Sequence, residues 1–182
     1  MIHTTEMKYK IVPFIILAIL MCIGSNTQAQ IKWVKTKSEK SKISFDLPES
    51  PHLRNQEFNG ILSEVFSYRD VANIYGLVAS DFSKLKVDFS HTDPSDYYKQ
   101  MKEGSLLSSD AMLISEQSVA YKRMLGKEIV YTMMVGKHEY TYFKRFFFKN
   151  QFIYQITIGG PSRMKQVLLD KKQIYFNSIQ FE

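Results

Sequence analysis

The 182-residue sequence contains only one cysteine, five prolines and eight glycines. One cysteine cannot form an internal disulfide or a zinc site built from several cysteines, which excludes a small disulfide-stabilised scaffold. The low glycine and proline content excludes a collagen-like or other fibrous chain. With 45% hydrophobic and 14% aromatic residues, the chain is too apolar to be disordered. The composition is therefore typical of a globular protein.

The apolar run near the start of the sequence is too short to span a membrane. It covers residues 11–23, whereas a transmembrane helix needs about 20 apolar residues. Lys8 and Lys10 precede this run, and a polar stretch with small residues follows it. A positive segment, a short apolar segment and small residues, in this order, are typical of a secretory signal peptide.

Small side chains mark the expected cleavage site of this signal peptide. Thr27 and Ala29 suit positions −3 and −1 of the site, so we predict cleavage after Ala29 and a mature chain that begins at Gln30. The protein would then be exported, and it would be periplasmic or secreted.

Two alternatives to cleavage after Ala29 stay open. In the first, the apolar run is retained as a membrane anchor. In the second, the protein is a lipoprotein attached through Cys22, although Met21 is larger than the residue that normally precedes a lipidated cysteine. A membrane is expected as a partner only in these two cases, and nucleic acid is not expected as a partner of an exported chain.

Residues 30–182 have the length of one domain. A chain of this size buries roughly 70% of its unfolded surface, so it needs neither a metal nor a disulfide to fold. Near its start the domain carries five lysines, namely Lys32, Lys35, Lys37, Lys40 and Lys42. We interpret this segment as a solvated, partly frayed arm. The alternative is contact with anionic lipid or polysaccharide outside the cell.

Alternating apolar and polar residues predict a mostly antiparallel sheet. Residues 73–82 are apolar on both faces, which indicates a central strand covered on both sides. Residues 127–135, 138–149 and 152–158 are three more strands, joined by short turns, and they predict an antiparallel meander. We expect Gly126 to mark a turn before it, and residues 159–161 (GGP) to end its last strand.

Two helices are expected outside the meander. Asp93 is the predicted N-cap of the first, with Pro94 at the first helical position. Ser162 is the predicted N-cap of the second helix, which runs on towards a short closing strand or extended tail. The predicted fold class is α+β, with a central sheet of about six or seven mostly antiparallel strands and helices packed on it.

Four short segments resemble the PsbP-like α/β/α sandwich, a fold found in small exported bacterial proteins. They are residues 43–48 (ISFDLP), 126–130 (GKEIV), 152–156 (FIYQI) and 176–181 (FNSIQF). At Leu125 the chain departs from the family, which usually has proline there. The resemblance implies a binding or assembly accessory with no shared catalytic centre, and it transfers no functional residue to this chain.

Catalytic motifs are lacking in residues 30–182. The three histidines lie in different segments, without the spacing of a metal motif, and no nucleophile elbow or phosphate loop is present. The densest polar segment contains Asp88, Asp93 and Asp96. It is the candidate site of a hydrolytic or metal-dependent enzyme, although Asp93 and Asp96 also suit the start of a helix. We predict no enzyme activity, no metal and no cofactor.

The aromatic strand at residues 138–149 is the candidate binding surface. Tyr142, Phe143, Arg145 and Phe147 are the residues that we expect to face a ligand. Most of this strand would lie in the core if helices covered both faces of the sheet. The remaining surface suits a glycan, a lipid or a peptide.

Three functions are therefore compared. The first is an exported, non-enzymatic binding or accessory protein whose partner is an envelope protein, a glycan or a peptide. The second is the enzyme with an acidic site between Asp88 and Asp96. The third is a membrane-tethered structural component.

Cleavage is directly testable by intact mass spectrometry of the protein from an exporting host. We expect a soluble species that begins at Gln30, because Ala29 and Thr27 fit the cleavage pattern. A membrane species that keeps residues 1–29, or that begins at a lipidated Cys22, would contradict the prediction.

Overall fold

The computed structural model describes residues 32–182. The predicted signal peptide (residues 1–29), the cleavage site between Ala29 and Gln30, and Cys22 lie outside the described residues. Within the described part, Trp33–Glu182 form one compact unit. No helix among residues 32–182 is long and apolar enough to cross a membrane.

The described chain contains ten strands and two α-helices, and the helices have 11 and 14 residues. The strands are β1 (Val34–Ser38), β2 (Ile43–Leu47), β3 (His52–Phe58), β4 (Ile61–Arg69), β5 (Ile74–Asp81), β6 (Met112–Tyr121), β7 (Met124–Val135), β8 (His138–Lys149), β9 (Phe152–Pro161) and β10 (Gln180–Phe181). The helices are α1 (Ser95–Ser105) and α2 (Lys165–Ser178). Two 3-10 turns, Ser83–Leu85 and Ser162–Met164, complete the regular structure.

Seven strands form one antiparallel sheet in the order β3-β4-β5-β9-β8-β7-β6. Strand β5 pairs with β4 on one side and β9 on the other, so the predicted central strand is confirmed. The predicted meander is confirmed as β7-β8-β9, and β6 extends it by one strand. The strand count and the α+β class agree with the sequence.

The two faces of this sheet have different covers. The first face carries Tyr75, Leu77 and Ile156, which are all fully buried, and it packs against α2 and strand β2 in the main core. The second face carries a smaller buried cluster around Phe146, against which α1 packs. Helices therefore lie on opposite faces of the sheet, as the PsbP-like arrangement implies.

A second, three-stranded sheet in the order β1-β2-β10 forms part of the cover of the first face. The expectation that the lysine-rich segment is a frayed arm is wrong, because Val34–Ser38 pairs along its whole length with β2. Polar contacts anchor the turn after β1. The hydroxyls of Ser38 and Ser41 donate to the Glu64 carboxylate, and the Tyr154 hydroxyl donates to the Ser41 carbonyl at 2.8 Å.

The glycines that were expected to mark turns lie inside strands. Gly126 is in β7, and a Cβ there would lie 2.5 Å from the Phe146 carbonyl oxygen. Gly159 is in β9, where a Cβ would lie 2.3 Å from the ring of Tyr142. Both positions need glycine because atoms of β8 lie too close to leave room for a Cβ. Both glycines are part of strands, so the predicted turns are wrong.

The start of α2 also differs from the expectation. Ser162 does not cap the helix; its hydroxyl lies 2.8 Å from the Thr141 hydroxyl in β8. The 3-10 turn at Ser162–Met164 comes first, and the α-helix begins at Lys165. The helix continues to Ser178, so only Gln180–Phe181 form the expected closing strand.

Gly126→Ala tests the close approach of β7 and β8. We expect the free energy of unfolding to fall by roughly 1–3 kcal/mol, because the added methyl group must displace a backbone carbonyl. Chemical denaturation followed by circular dichroism measures it. Gly104→Ala is the matched control, since a Cβ at this position in α1 meets nothing within 4 Å. It should stabilise the protein by about 0.5–1 kcal/mol through helix propensity, and equal losses in both variants would contradict the prediction.

Candidate functional site

Strand β8 carries the four residues predicted to face a ligand, and the structure places them on both faces of the sheet. Phe143 and Phe147 are 5% and 3% exposed, and both belong to the main core. The expectation that these two rings face a ligand is wrong, because the cover of the first face closes this side of β8. Their role is hydrophobic packing.

Arg145 also points to the covered face, where it binds a buried carboxylate. Its Nε lies 2.6 Å from Oε2 of Glu128, and Nζ of Lys172 lies 2.9 Å from Oε1 of the same carboxylate. The Glu128 side chain is only 1% exposed. Arg145 therefore holds β7, β8 and α2 together, and this ion pair takes the place of the predicted ligand contact.

The Glu128 carboxylate accepts hydrogen bonds from three side chains. Burial opposes its ionisation, but the hydrogen bonds and charges of Lys172 and Arg145 hold the pKa of Glu128 below its usual value. Nε2 of Gln117 donates a further hydrogen bond at 3.1 Å. The two cations also lie over aromatic rings, with Lys172 4.3 Å from the centroid of Phe143. This cluster is a structural site because each charge in it has a partner inside the fold.

Tyr142 is the one predicted residue on the second face. Its ring stacks on Tyr131 at 5.1 Å between centroids, with 12° between the planes, and on Tyr140 at 6.3 Å. The same ring lies close to Gly159, where it would meet any Cβ. Lys144 follows on the same face, and its Nζ donates to the Ser105 hydroxyl at 3.0 Å. Burial lowers the pKa of Lys144 to about 8. Partly exposed Tyr142 thus remains available, while the other three residues belong to the covered face.

The acidic segment before α1 serves local structure. Oδ1 of Asp93 accepts the backbone N–H of Ser95 at 3.0 Å, so it supports the helix start, although the helix begins one residue later than predicted. Oδ1 of Asp88 accepts the N–H of Ser90 at 2.8 Å. Within residues 32–182, no three histidine, cysteine, aspartate or glutamate side chains are grouped to hold a metal ion. The acidic segment thus offers nothing that supports the enzyme alternative.

A groove of about 460 Å³ lies beside α1 on the second face of the sheet. We call it the α1 groove. Its walls come from α1, the β3–β4 hairpin, the middle of the sheet and the 3-10 turn after β5. The lining residues are Gln56, Phe58, Ile61, Ser63, Ser80, Phe82, Leu85, Tyr97, Gln100, Met101, Ile153 and Gln155.

The lining of the α1 groove combines apolar side chains with neutral hydrogen-bonding groups. Three glutamines supply amide donors and acceptors, and the paired hydroxyls of Ser63 and Ser80 lie 2.8 Å apart at the sheet. Phe58 and Leu85 are 73% and 47% exposed at its rim. Among residues 32–182, no aspartate, glutamate, lysine or arginine lines the groove. Such a surface suits an uncharged ligand with apolar faces and polar edges.

The β3–β4 hairpin forms one wall of this groove. The sequence predicts a strand at residues 61–68, whereas residues 51–59 suit either an edge strand or a mobile flap. Strand β3 (His52–Phe58) is exposed at every residue, so it shows no apolar alternation. The signal that would have found it is the Asn59-Gly60 pair, which turns the chain with φ values of 50° and 79°. This tight turn sets Phe58 opposite Ile61, and both side chains then face the groove.

The fold is shared with a known structure, although sequence comparison finds no relative. No family model matches the chain, and no curated protein matches it. The solution structure of CyanoP, the cyanobacterial PsbP of Synechocystis, superposes with a TM-score of 0.59 at 11% identity, covering 87% of this chain and 97% of CyanoP. LpqN of Mycobacterium tuberculosis, which is involved in cell envelope biogenesis, gives 0.49 at 10% identity over 83% of this chain and 91% of its own.

The chain therefore has a PsbP-like α+β fold, and the predicted resemblance is confirmed at the level of the fold. An identity of 11% carries no residue of CyanoP across to this chain. The site has to be argued from its own geometry.

Glu128→Gln tests the buried ion cluster. At pH 7 we expect a loss of roughly 3 kcal/mol in the free energy of unfolding, because two cations lose their carboxylate. The folded-state pKa of Glu128 lies below its unfolded value, so the stabilisation is complete above about pH 5 and disappears as the pH falls through the folded-state pKa. Urea unfolding at several pH values should show wild type and variant converging in acid.

Glu139→Gln is the control for this experiment, because Glu139 is exposed on β8. It should change the free energy of unfolding by less than about 0.5 kcal/mol. A gap between wild type and Glu128→Gln that stays constant from pH 7 to pH 3 would contradict the role given to the carboxylate.

Proposed function

We propose that this chain is an exported, non-enzymatic binding protein of the periplasm or cell surface, and that the α1 groove binds a neutral glycan. The observation that carries the proposal is the lining of the groove, where three glutamines and two serines stand between apolar side chains without a charged residue. Sugar hydroxyls pair with amides and hydroxyls, and the apolar face of a sugar ring packs on Phe58 or Tyr97.

The size and exposure of the groove support binding of part of a longer molecule. A volume of about 460 Å³ lies within the usual range for small ligands and accommodates only a few sugar rings. The groove is open, and Phe58 lies 73% exposed at its rim, so a longer chain can continue past it. The export of the protein rests on the signal peptide predicted from residues 1–29.

Binding without catalysis suits the chemistry of this lining. Its glutamine and serine side chains carry no group that titrates near neutral pH. They orient a ligand through hydrogen bonds and transfer no proton. The proposed accessory role therefore rests on the residues that line the groove. It does not rest on the fold, because one fold serves many functions.

Phe58→Ala and Gln100→Ala test the proposal. Both side chains line the groove and are exposed, so the variants should fold normally. Isothermal titration with neutral oligosaccharides, such as cellotriose and a chitin trimer, should show binding by wild type. Each variant should weaken it about tenfold, the effect of losing a contact worth about 1.4 kcal/mol.

Val71→Ala is the matched control, because Val71 is fully exposed in the β4–β5 turn and does not line the groove. It should leave the affinity unchanged. Binding of a neutral peptide but of no glycan would overturn the proposed ligand class, while the α1 groove would remain the proposed binding site. Equal affinity of Phe58→Ala and wild type would overturn the assignment of the binding site to the α1 groove.

A further inference from the structure

A second cavity, of about 410 Å³, lies at the ends of strands β6, β7 and β8. We call it the basic pocket. It shares no lining residue with the α1 groove. The two are separated by an aromatic cluster in which Phe82, Phe89 and Tyr97 contact one another edge to face, with centroids 5.2–5.7 Å apart. The basic pocket therefore has its own chemistry.

Three cations from two chain turns meet in the basic pocket. Lys122 and Arg123 form the β6–β7 turn, and Lys149 ends β8. Lys122 and Arg123 are exposed and have no hydrogen bond or ion pair among residues 32–182. Lys122 adopts a φ of 52°, a conformation that residues with a Cβ rarely take. Nζ of Lys122 lies 5.4 Å from the centroid of the Tyr121 ring. The turn thus presents two cations that have no carboxylate partner in the described part of the chain.

The acidic groups near these cations are already engaged. Oε1 of Glu182 lies 2.9 Å from Nζ of Lys37, and the carbonyl of Glu182 accepts a hydrogen bond from Lys149. Oδ1 of Asp88 accepts the N–H of Ser90. The described lining of the pocket holds three cations and no aspartate or glutamate, so it carries a positive charge that attracts an anion.

Aromatic rings form the walls of the basic pocket. Tyr121 and Phe181 lie 5.0 Å apart with 77° between their planes, and Phe89 and Phe148 lie 5.4 Å apart at 63°. A sugar ring needs only one exposed aromatic face, whose negative charge attracts its C–H groups. Asn150 adds an amide at the rim.

We infer that the basic pocket binds an acidic sugar, in which a carboxylate or phosphate pairs with Lys122 and Arg123 while the ring packs on an aromatic wall. The guanidinium of Arg123 can bind either anion through two parallel hydrogen bonds. The volume holds one or two sugar rings. The inference stands independently of the neutral ligand proposed for the α1 groove.

Titration of the full chain with four probes tests this inference. The probes are a glucuronate trimer, glucose 6-phosphate, maltotriose and AMP. We expect the two acidic sugars to bind at least about tenfold tighter than maltotriose, and their affinity to fall as salt screens the cations. Lys122→Gln/Arg123→Gln should weaken acidic-sugar binding about tenfold or more, because both unpaired charges are removed.

Two control variants separate charge at the pocket from net charge and folding. Lys99→Gln/Lys165→Gln removes two exposed lysines elsewhere, and it should bind like wild type. Lys122→Gly removes one charge at a position whose φ glycine adopts freely, so a weaker affinity in this variant comes from the lost ammonium group. Circular dichroism confirms folding.

The outcomes distinguish this pocket from the α1 groove. Phe58→Ala should bind acidic sugars like wild type, whatever the result for neutral glycans. Equal affinity for maltotriose and the glucuronate trimer would overturn the inference. So would binding of AMP but neither acidic sugar, or unchanged acidic-sugar affinity in Lys122→Gln/Arg123→Gln.

Discussion

The unequal cover of the two sheet faces determines the rest of this structure. Helix α2 and the small sheet close the first face, where Phe45, Tyr75 and Tyr175 are completely buried. In the described part of the chain, α1 is the only α-helix that packs on the second face. A helix is about 10 Å wide, and strands lie about 4.8 Å apart, so α1 covers about two of seven strands. Open surface beside α1 is the geometric result, and the α1 groove lies there.

Acidic side chains of the large sheet and of its β4–β5 turn fix the position of the cover. Glu64 accepts hydrogen bonds from the turn after β1, Asp70 pairs with Lys171 at 2.8 Å, and Glu128 pairs with Lys172. Lys171 and Lys172 are neighbours on α2, yet they reach opposite parts of the sheet. Hydrophobic packing has no direction, whereas these paired charges define one orientation of the helix. The arrangement explains why Arg145 serves the fold.

Regular alternation of apolar and polar residues made most strands of this fold predictable. Where this alternation is absent, as in β3, the sequence did not predict the strand. The bounds of β8 follow from residues 138–149 alone, because a buried strand must show apolar residues. Strand β3 has no buried face and left no pattern. Gly159 and Gly160 were interpreted as a turn because glycine has this role most often. In β9 they instead make room for Tyr142 and Asn73.

The candidate site was harder to predict than the fold. Because neighbouring side chains of a strand alternate between its two faces, the sequence correctly places Phe143 and Tyr142 on opposite faces of β8. It does not show which of these faces is more completely covered by other elements. That depends on α2 and β10, which come later in the chain. The α1 groove unites residues from 56 to 155 that share no motif. Only the folded sheet brings them together.

The small sheet links distant parts of the chain, with a consequence for how the protein folds. Strand β2 lies between β1 and β10, and Ser44 pairs with Gln180. Contacts between such distant segments raise the contact order, and they form slowly because the intervening chain must first be ordered. The main core therefore depends on contacts between strand β2, near the start of the described chain, and strand β10, near its end.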